Sequence, residues 1–294
     1  MKATLEPKRF ECLQPSSLAE AFEFLQAPYE LPIQPLAGGT DLYVYLNAGT
    51  LPSCTFLDLS RLEELRFITP KEDAIEIGGL TSFTTIHHHQ QLRAEFPMLA
   101  EAAAVIGAVQ IQNRATLGGN IANGSPAGDS LPVLLAYDAI IQVASQNGQR
   151  QIPYNEFYTG YRRSQMRSDE LIEKIILPRK TSARKIQQDF RKIGTRRAQA
   201  ISKVVAAFWM EMSDDVVLDS RIAYGSLAPT PIRLQKVEGT LNGLRLNNAT
   251  IEDAITTLRE EIKPIDDVRS TAFYRQLVSE NILRRFLEDA VQAL

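Results

Sequence analysis

Two glycine-centred segments constrain this 294-residue chain more than any other feature. Residues 35–42 read PLAGGTDL and residues 110–129 read QIQNRATLGGNIANGSPAGD. Glycine is needed where a backbone takes positive φ or passes close to another group. Each segment follows an apolar stretch. Successive backbone N–H groups in such turns form a concavity suited to phosphate oxygens, helped by a neighbouring helix N-terminus. Thr40, Thr116 and Asn120 add side-chain hydrogen-bonding groups. Two readings of the residues stay open: a pair of tight turns that use glycine for geometry alone, or one pyrophosphate held between two loops. The second would need an uncommon scaffold, because the chain contains neither GxxxxGK[ST] nor G-x-G. Residues 115–130, rich in Gly, Asn and Ser, read as one long loop, and loops of that length in compact domains are commonly functional.

Around these segments the pattern alternates between helix and strand. Leu18, Ala19, Ala21, Phe22 and Leu25 have helical spacing, which predicts a helix within 14–27 capped by Ser16 or Ser17. A short strand over 35–37 leads into a helix over 42–46. Strands are expected at 55–59 and 139–144, short antiparallel pieces at 63–68 and 74–77, and helices at 98–108 and 131–137. Residues 178–185 (PRKTSARK) turn basic and mark a linker or domain boundary. Beyond it, 188–193, 203–212 and 216–225 read as three antiparallel strands, the last two joined by Ser213-Asp214-Asp215. Amphipathic helices are expected over 250–262 and 271–292, with Thr250 and Ser270 as caps. Gly-Gly pairs at 38/39, 78/79 and 118/119 share no surrounding pattern, so their even spacing reads as chance rather than as a repeat.

Composition narrows the function classes. Hydrophobic residues make up 44%, charged residues 23%, and the formal net charge is −3, which suits a globular chain with an ordinary core. Such a balance gives no electrostatic case for nucleic acid as a partner. Cys12 and Cys54, with no CxxC, exclude a disulfide scaffold and thiolate-held zinc or iron–sulfur. No apolar run approaches the roughly 18 residues of a membrane span. The first ten residues carry no signal-peptide hydrophobic region, so the expected location is cytoplasmic. His87-His88-His89 are adjacent and cannot converge on one ion, which makes them a surface run. Trp209, in the apolar stretch VVAAFWM, belongs to a core strand. The basic stretch 184–203 is interleaved with apolar and polar residues, as in a solvated strand face or a docking surface. No nucleophile–base pair and no metal constellation appears, so no catalytic or metal-ligating residue is assigned. Redox chemistry would then be carried by a bound cofactor.

The second glycine segment, with the first, resembles the FAD-binding segments of one family: the flavoprotein (medium) subunit of the molybdenum hydroxylases, of xanthine, carbon monoxide and nicotinate dehydrogenase type. Further similarities run along nearly the whole chain. They are Asp169-Glu170-Leu171-Ile172 leading to Pro178, Phe190-Arg191-Lys192 followed by Arg196-Arg197-Ala198, and Ile222-Ala223-Tyr224-Gly225 through Ala228-Pro229-Thr230-Pro231. Gln112, Ala200 and Tyr224 depart from the family's usual residues.

The resemblance implies an α+β fold: a two-lobed FAD-binding domain over 1–178, divided near 55–60, and a small C-terminal α+β domain over 182–294 with a three-stranded antiparallel sheet and helices. It implies that Leu36, Ala37, Gly38, Gly39, Thr40, Asp41 and Leu42, with Thr116, Leu117, Gly118, Gly119 and Asn120, hold the pyrophosphate and ribityl region of FAD. Gly107 would let the backbone approach the cofactor, and Asp129 would accept hydrogen bonds from FAD hydroxyls. Ile172 would touch the isoalloxazine, while Lys192 and, more weakly, Arg163 would place positive charge near it. Read without the resemblance, Asp129 caps a helix starting near Ser130, Ile172 is core and Lys192 lies on a solvated strand face.

The implied partners are a large molybdopterin subunit and a small subunit carrying [2Fe–2S] clusters. Electrons would pass through FAD to NAD⁺ or another acceptor. Two alternatives remain: a free-standing FAD-dependent oxidoreductase, and a non-catalytic assembly module of the same fold.

Overall fold

The computed structural model describes residues 8–180 and 184–293. Its first lobe runs β1 (Phe10–Leu13), α1 (Leu18–Gln26), β2 (Ile33–Leu36), α2 (Leu42–Asn47) and β3 (Cys54–Asp58). The three strands form a parallel sheet in the order β1-β3-β2, with Leu36 opposite Asp58 at its end. Ser17 caps α1 by accepting a hydrogen bond from the Glu20 amide at 3.2 Å. Ala21 of α1 packs with Leu57, Leu59, Leu62 and Leu65 beneath the sheet. The chain leaves β2 directly into the first glycine segment, so the parallel sheet positions that loop at its carboxyl edge.

The second lobe contains β4 (Ile68–Pro70), β5 (Ala74–Gly78), α3 (Phe83–His88), α4 (Gln90–Glu95), α5 (Pro97–Val105), α6 (Val109–Gln112), α7 (Leu117–Asn123) and α8 (Leu131–Ala136). It continues with β6 (Ile140–Ser145), β7 (Gly148–Pro153), α9 (Tyr154–Phe157), β8 (Tyr158–Gly160), β9 (Arg163–Ser164) and β10 (Leu171–Pro178). An antiparallel sheet forms in the order β4-β5-β10-β6-β7, and β8 and β9 pair as a separate hairpin. The register of β10 against β6 shifts between Ile172 and Lys174. A bulge of this kind bends a strand and re-aims its side chains, and here it lies beside the functional cleft.

Several sequence expectations change in this lobe. Residues 115–130 are not one loop, because Thr116 caps α7 within them and Gly124, at φ 56°, ends it. Glu63–Leu65 is a 3-10 turn rather than a strand piece. The helix expected over 98–108 stops at Val105, since Gly107 adopts φ 57°.

The C-terminal part comprises β11 (Lys185–Ile193), β12 (Val204–Ser213), β13 (Val216–Gly225), β14 (Ile232–Arg233), α10 (Gln235–Leu241), α11 (Asn248–Glu261) and α12 (Ala272–Gln292). Its sheet is antiparallel, β11-β12-β13-β14, so a two-residue fourth strand joins the three expected. The caps also differ: Asn247 rather than Thr250 caps α11, and Thr271 rather than Ser270 caps α12. The expected linker lies partly outside the described residues.

The apolar run of β12 is explained by burial on both faces. Alternate residues of a strand point to opposite sides. Val205, Ala207 and Trp209 therefore join the core of the second lobe, while Val204, Ala206, Phe208, Met210 and Met212 join the core made with α10–α12.

Candidate cofactor-binding cleft

A cleft of about 1400 Å³ is lined by residues from the parallel lobe, the antiparallel lobe and the C-terminal part. It exceeds the roughly 300–1,000 Å³ typical of small-ligand pockets, as an extended dinucleotide requires. Both glycine segments line it.

At the first segment, Gly39 has φ 75°, a left-handed turn that glycine adopts without strain. Gly38 lies against the backbone of the second segment: a Cβ there would stand 1.9 Å from the Arg114 carbonyl oxygen. Among the described residues, no acceptor takes up the N–H groups of Gly38, Gly39, Thr40 or Asp41. A row of unbonded amides without a side chain at its two glycines fits an anionic diphosphate.

The second segment is arranged differently. Leu117 donates its N–H to the Thr81 carbonyl at 3.1 Å and Gly118 to the Gly79 carbonyl at 3.0 Å. Gly119 donates to Thr116 Oγ1 at 3.1 Å. Thr116 thus accepts the cap bond through its hydroxyl oxygen and keeps its O–H as a donor. Asn120 Oδ1 accepts from Ser130 Oγ at 2.8 Å. The glycines here serve close packing. A Cβ on Gly118 would meet the Gly79 carbonyl at 2.5 Å, and one on Gly79 would meet the Ile172 carbonyl at 2.2 Å. Gly79 is therefore needed for close backbone packing.

Deeper in the cleft, Asp129 is buried and accepts from Lys192 Nζ at 2.6 Å and from Ser202 Oγ at 2.5 Å. Lys192 also donates to the Val105 carbonyl at 2.8 Å. Burial pushes the Asp129 carboxyl up, and the ammonium of Lys192 and the Ser202 hydroxyl hold it partly back. Asp129 does not cap α8, whose first residue follows Ser130 without any side-chain cap. A carboxylate offers about four acceptor positions, so two remain for a ligand hydroxyl. Ser226 Oγ donates to the Ser202 carbonyl at 3.0 Å, and Arg275 Nη1 donates to the Ser226 carbonyl at 2.8 Å, which ties this wall to the start of α12.

Asp41 is open to solvent yet crowded by the cleft walls. Desolvation raises its carboxyl and Arg162 draws it back down. Glu170, buried and lining the cleft, is raised by burial but lowered further by hydrogen bonds from Arg150 and the Arg167 amide, leaving it below the ordinary range.

Of the residues singled out from sequence, the cleft brings together Ala37, Gly38, Gly39, Thr40, Asp41, Leu42, Gly107, Thr116, Gly118, Gly119, Asn120, Asp129 and Ile172. It does not include Leu36, which ends β2, or Leu117, which is fully buried in the core. Lys192 stands behind Asp129 rather than on the lining. Arg163 is exposed on β9, off the cleft, and its neighbour Arg162 occupies the lining instead. Arg162 sits in the turn between β8 and β9 at φ 52°, and the conformation of that turn, which sequence spacing could not fix, puts it rather than Arg163 on the lining. Sequence reasoning also missed Gly79, Ser202 and the lining role of Leu227, Ala228 and Pro229. The repeated Gly-Gly pair and the APTP-like segment carried the signal. Among the described residues no cluster of His, Cys, Asp and Glu could hold a metal ion, and no helix is long and apolar enough to cross a membrane.

A parallel-sheet lobe and an antiparallel lobe flanking one long cleft, followed by a sheet-and-helix C-terminal part, is the architecture of the carbon monoxide dehydrogenase flavoprotein. The solved carbon monoxide dehydrogenase of Hydrogenophaga pseudoflava, in a form lacking the Mo-pyranopterin moiety of its molybdenum cofactor, superposes with a TM-score of 0.89 at 27% identity, covering 96% of each chain. Residues 8–180 match the family described as FAD binding domain in molybdopterin dehydrogenase, and residues 189–290 match the CO dehydrogenase flavoprotein C-terminal domain. The chain belongs to this family. It is 31% identical over 279 residues to the xanthine dehydrogenase FAD-binding subunit of Escherichia coli O157:H7, covering 95% of this chain and 94% of that one. It is 28% identical to the nicotinate dehydrogenase FAD-subunit of Eubacterium barkeri, covering 98% of both. It is accordingly an FAD-binding subunit of an oxidoreductase of the molybdenum hydroxylase type.

Proposed function

We propose that this chain is the medium subunit that carries FAD between a small [2Fe–2S] subunit and an electron acceptor, in a complex whose large subunit holds molybdopterin. The FAD-binding domain is residues 1–178 and the C-terminal domain 182–294. The observation that carries the reading is the row of unbonded amides at Gly38 to Asp41, lining a cleft of about 1400 Å³. The bound flavin would supply the exchange of electrons between the partner's clusters and NAD⁺ or another acceptor.

The residues of this chain bind, orient and exclude. Loop 37–42 takes the diphosphate on its amides, and Gly118 and Gly79 hold the facing wall by close backbone contact. Asp129 offers its remaining acceptor positions to a ribityl hydroxyl. Lys192, 2.6 Å from Asp129, orients that carboxylate and partly offsets the burial that raises it. Ile172, re-aimed by the bulge in β10, supplies the apolar surface for the flavin ring.

The test is anaerobic reduction of the complex assembled by co-expression with molybdopterin and iron–sulfur partners. It is expected to purify with flavin absorption that NADH bleaches. An assembly that forms without flavin would sink the reading, and flavin that NADH leaves oxidised would point to a different acceptor.

A further inference from the structure

The geometry points to Arg162 as the residue that clamps the diphosphate of the dinucleotide beside loop 37–41, which makes it a determinant of FAD over unphosphorylated flavin. This rests on reading the cleft as the FAD site.

Arg162 sits at the tip of the β8–β9 hairpin in the left-handed region, at φ 52°, where an L side chain is held only when its surroundings require it. Its guanidinium lies 5.4 Å from the ring centre of Tyr45 on α2 and 5.6 Å from that of Tyr161. Tyr45 is itself fixed by donating to Asn123 Oδ1 at 3.2 Å, at the end of α7. The two rings restrain the guanidinium through its faces and leave its N–H edge uncommitted.

The other cleft-lining guanidiniums are already engaged. Arg275 bonds Asp267 at 2.8 Å and two carbonyls, and Arg269 pairs with Asp267 at 3.7 Å. Arg162 alone among the described lining arginines has no carboxylate or carbonyl partner. Asp41, at the end of the unbonded amides, is close enough to feel its charge. A diphosphate laid on those amides would bring its oxygens to a restrained, unpaired fork of donors, the group best matched to phosphate. Arg162 would also neutralise the repulsion that Asp41 would otherwise exert on the anion.

The experiment titrates the purified full chain with FAD and with riboflavin, by flavin fluorescence, in wild type, Arg162→Ala, Arg162→Lys and, as a control, Arg163→Ala. FAD affinity should fall about ten- to a hundredfold in Arg162→Ala, the range for losing charge-assisted hydrogen bonds. It should recover in part in Arg162→Lys and stay unchanged in Arg163→Ala. Riboflavin affinity should not move. Added KCl should weaken FAD binding to wild type and do so less in Arg162→Ala. If riboflavin binds neither protein measurably, this difference in salt slope decides the same question. FAD affinity unchanged in Arg162→Ala, equal losses for both ligands, or equal salt slopes would overturn the inference while leaving the flavin reading standing. A wild-type chain that takes up neither ligand would remove the flavin reading and this inference together.

Discussion

The N–H groups of Gly38, Gly39, Thr40 and Asp41 are taken up by nothing among the described residues, whereas those of Leu117, Gly118 and Gly119 are each bonded within the protein. Both segments contain Gly-Gly and both line the same cleft. In the first, glycine gives a turn at φ 75° and leaves amides free for an anion. In the second, it lets α7 press against the Gly79 backbone and build the facing wall. Similar composition therefore leaves amides unbonded in one place and builds packing in the other. The difference is set by what lies across from each loop.

The sharpest way to break this comparison is Gly118→Val. Its side chain would run into the Gly79 carbonyl on the buried face of α7, so the ligand-free chain should lose about 3 kcal/mol of stability or more, read by denaturant unfolding. A variant that stays as stable as wild type while losing FAD would contradict a packing role. Gly38→Ala should differ in what else it costs: its Cβ would stand 1.9 Å from the Arg114 carbonyl oxygen, so stability should fall by about 1–3 kcal/mol, and FAD affinity should fall roughly tenfold or more in addition as the amides are displaced.

Thr116→Val is a smaller probe of the same wall. It removes the cap bond to Gly119 and should cost about 1 kcal/mol, with a matching drop in melting temperature. The smallest effect concerns pH. Asp129 has its carboxyl raised by burial above the usual 3.8, so in the ligand-free chain its contribution to stability is full below that value and is lost as pH rises through the folded value. Replacing it by asparagine should remove that part of the slope, visible when melting temperature is followed from about pH 4 upward. Identical slopes in both proteins would show that Lys192 and Ser202 fully offset the burial.

Much of this arrangement was legible in the chain itself. The apolar run of 204–212, the helical spacing behind Ser17 and the turn at Gly38-Gly39 depend only on neighbours a few residues away, and each element formed where that local chemistry indicated. The residue composition of 110–129 was specific enough to point to the family and its cofactor. Tertiary structure decided the rest, because those choices depend on what arrives from elsewhere in the chain. Residues 117–123 form a helix rather than a loop because Gly79 and Thr81 come alongside to take its first amides. Arg162 rather than Arg163 lines the cleft because the turn between β8 and β9 holds it at φ 52° beside Tyr45, a contact supplied by α2 from far along the chain. Lys192 and Asp129, 63 residues apart, become one buried ion pair only when β11 packs against the loop before α8, a long-range contact that no local pattern encodes.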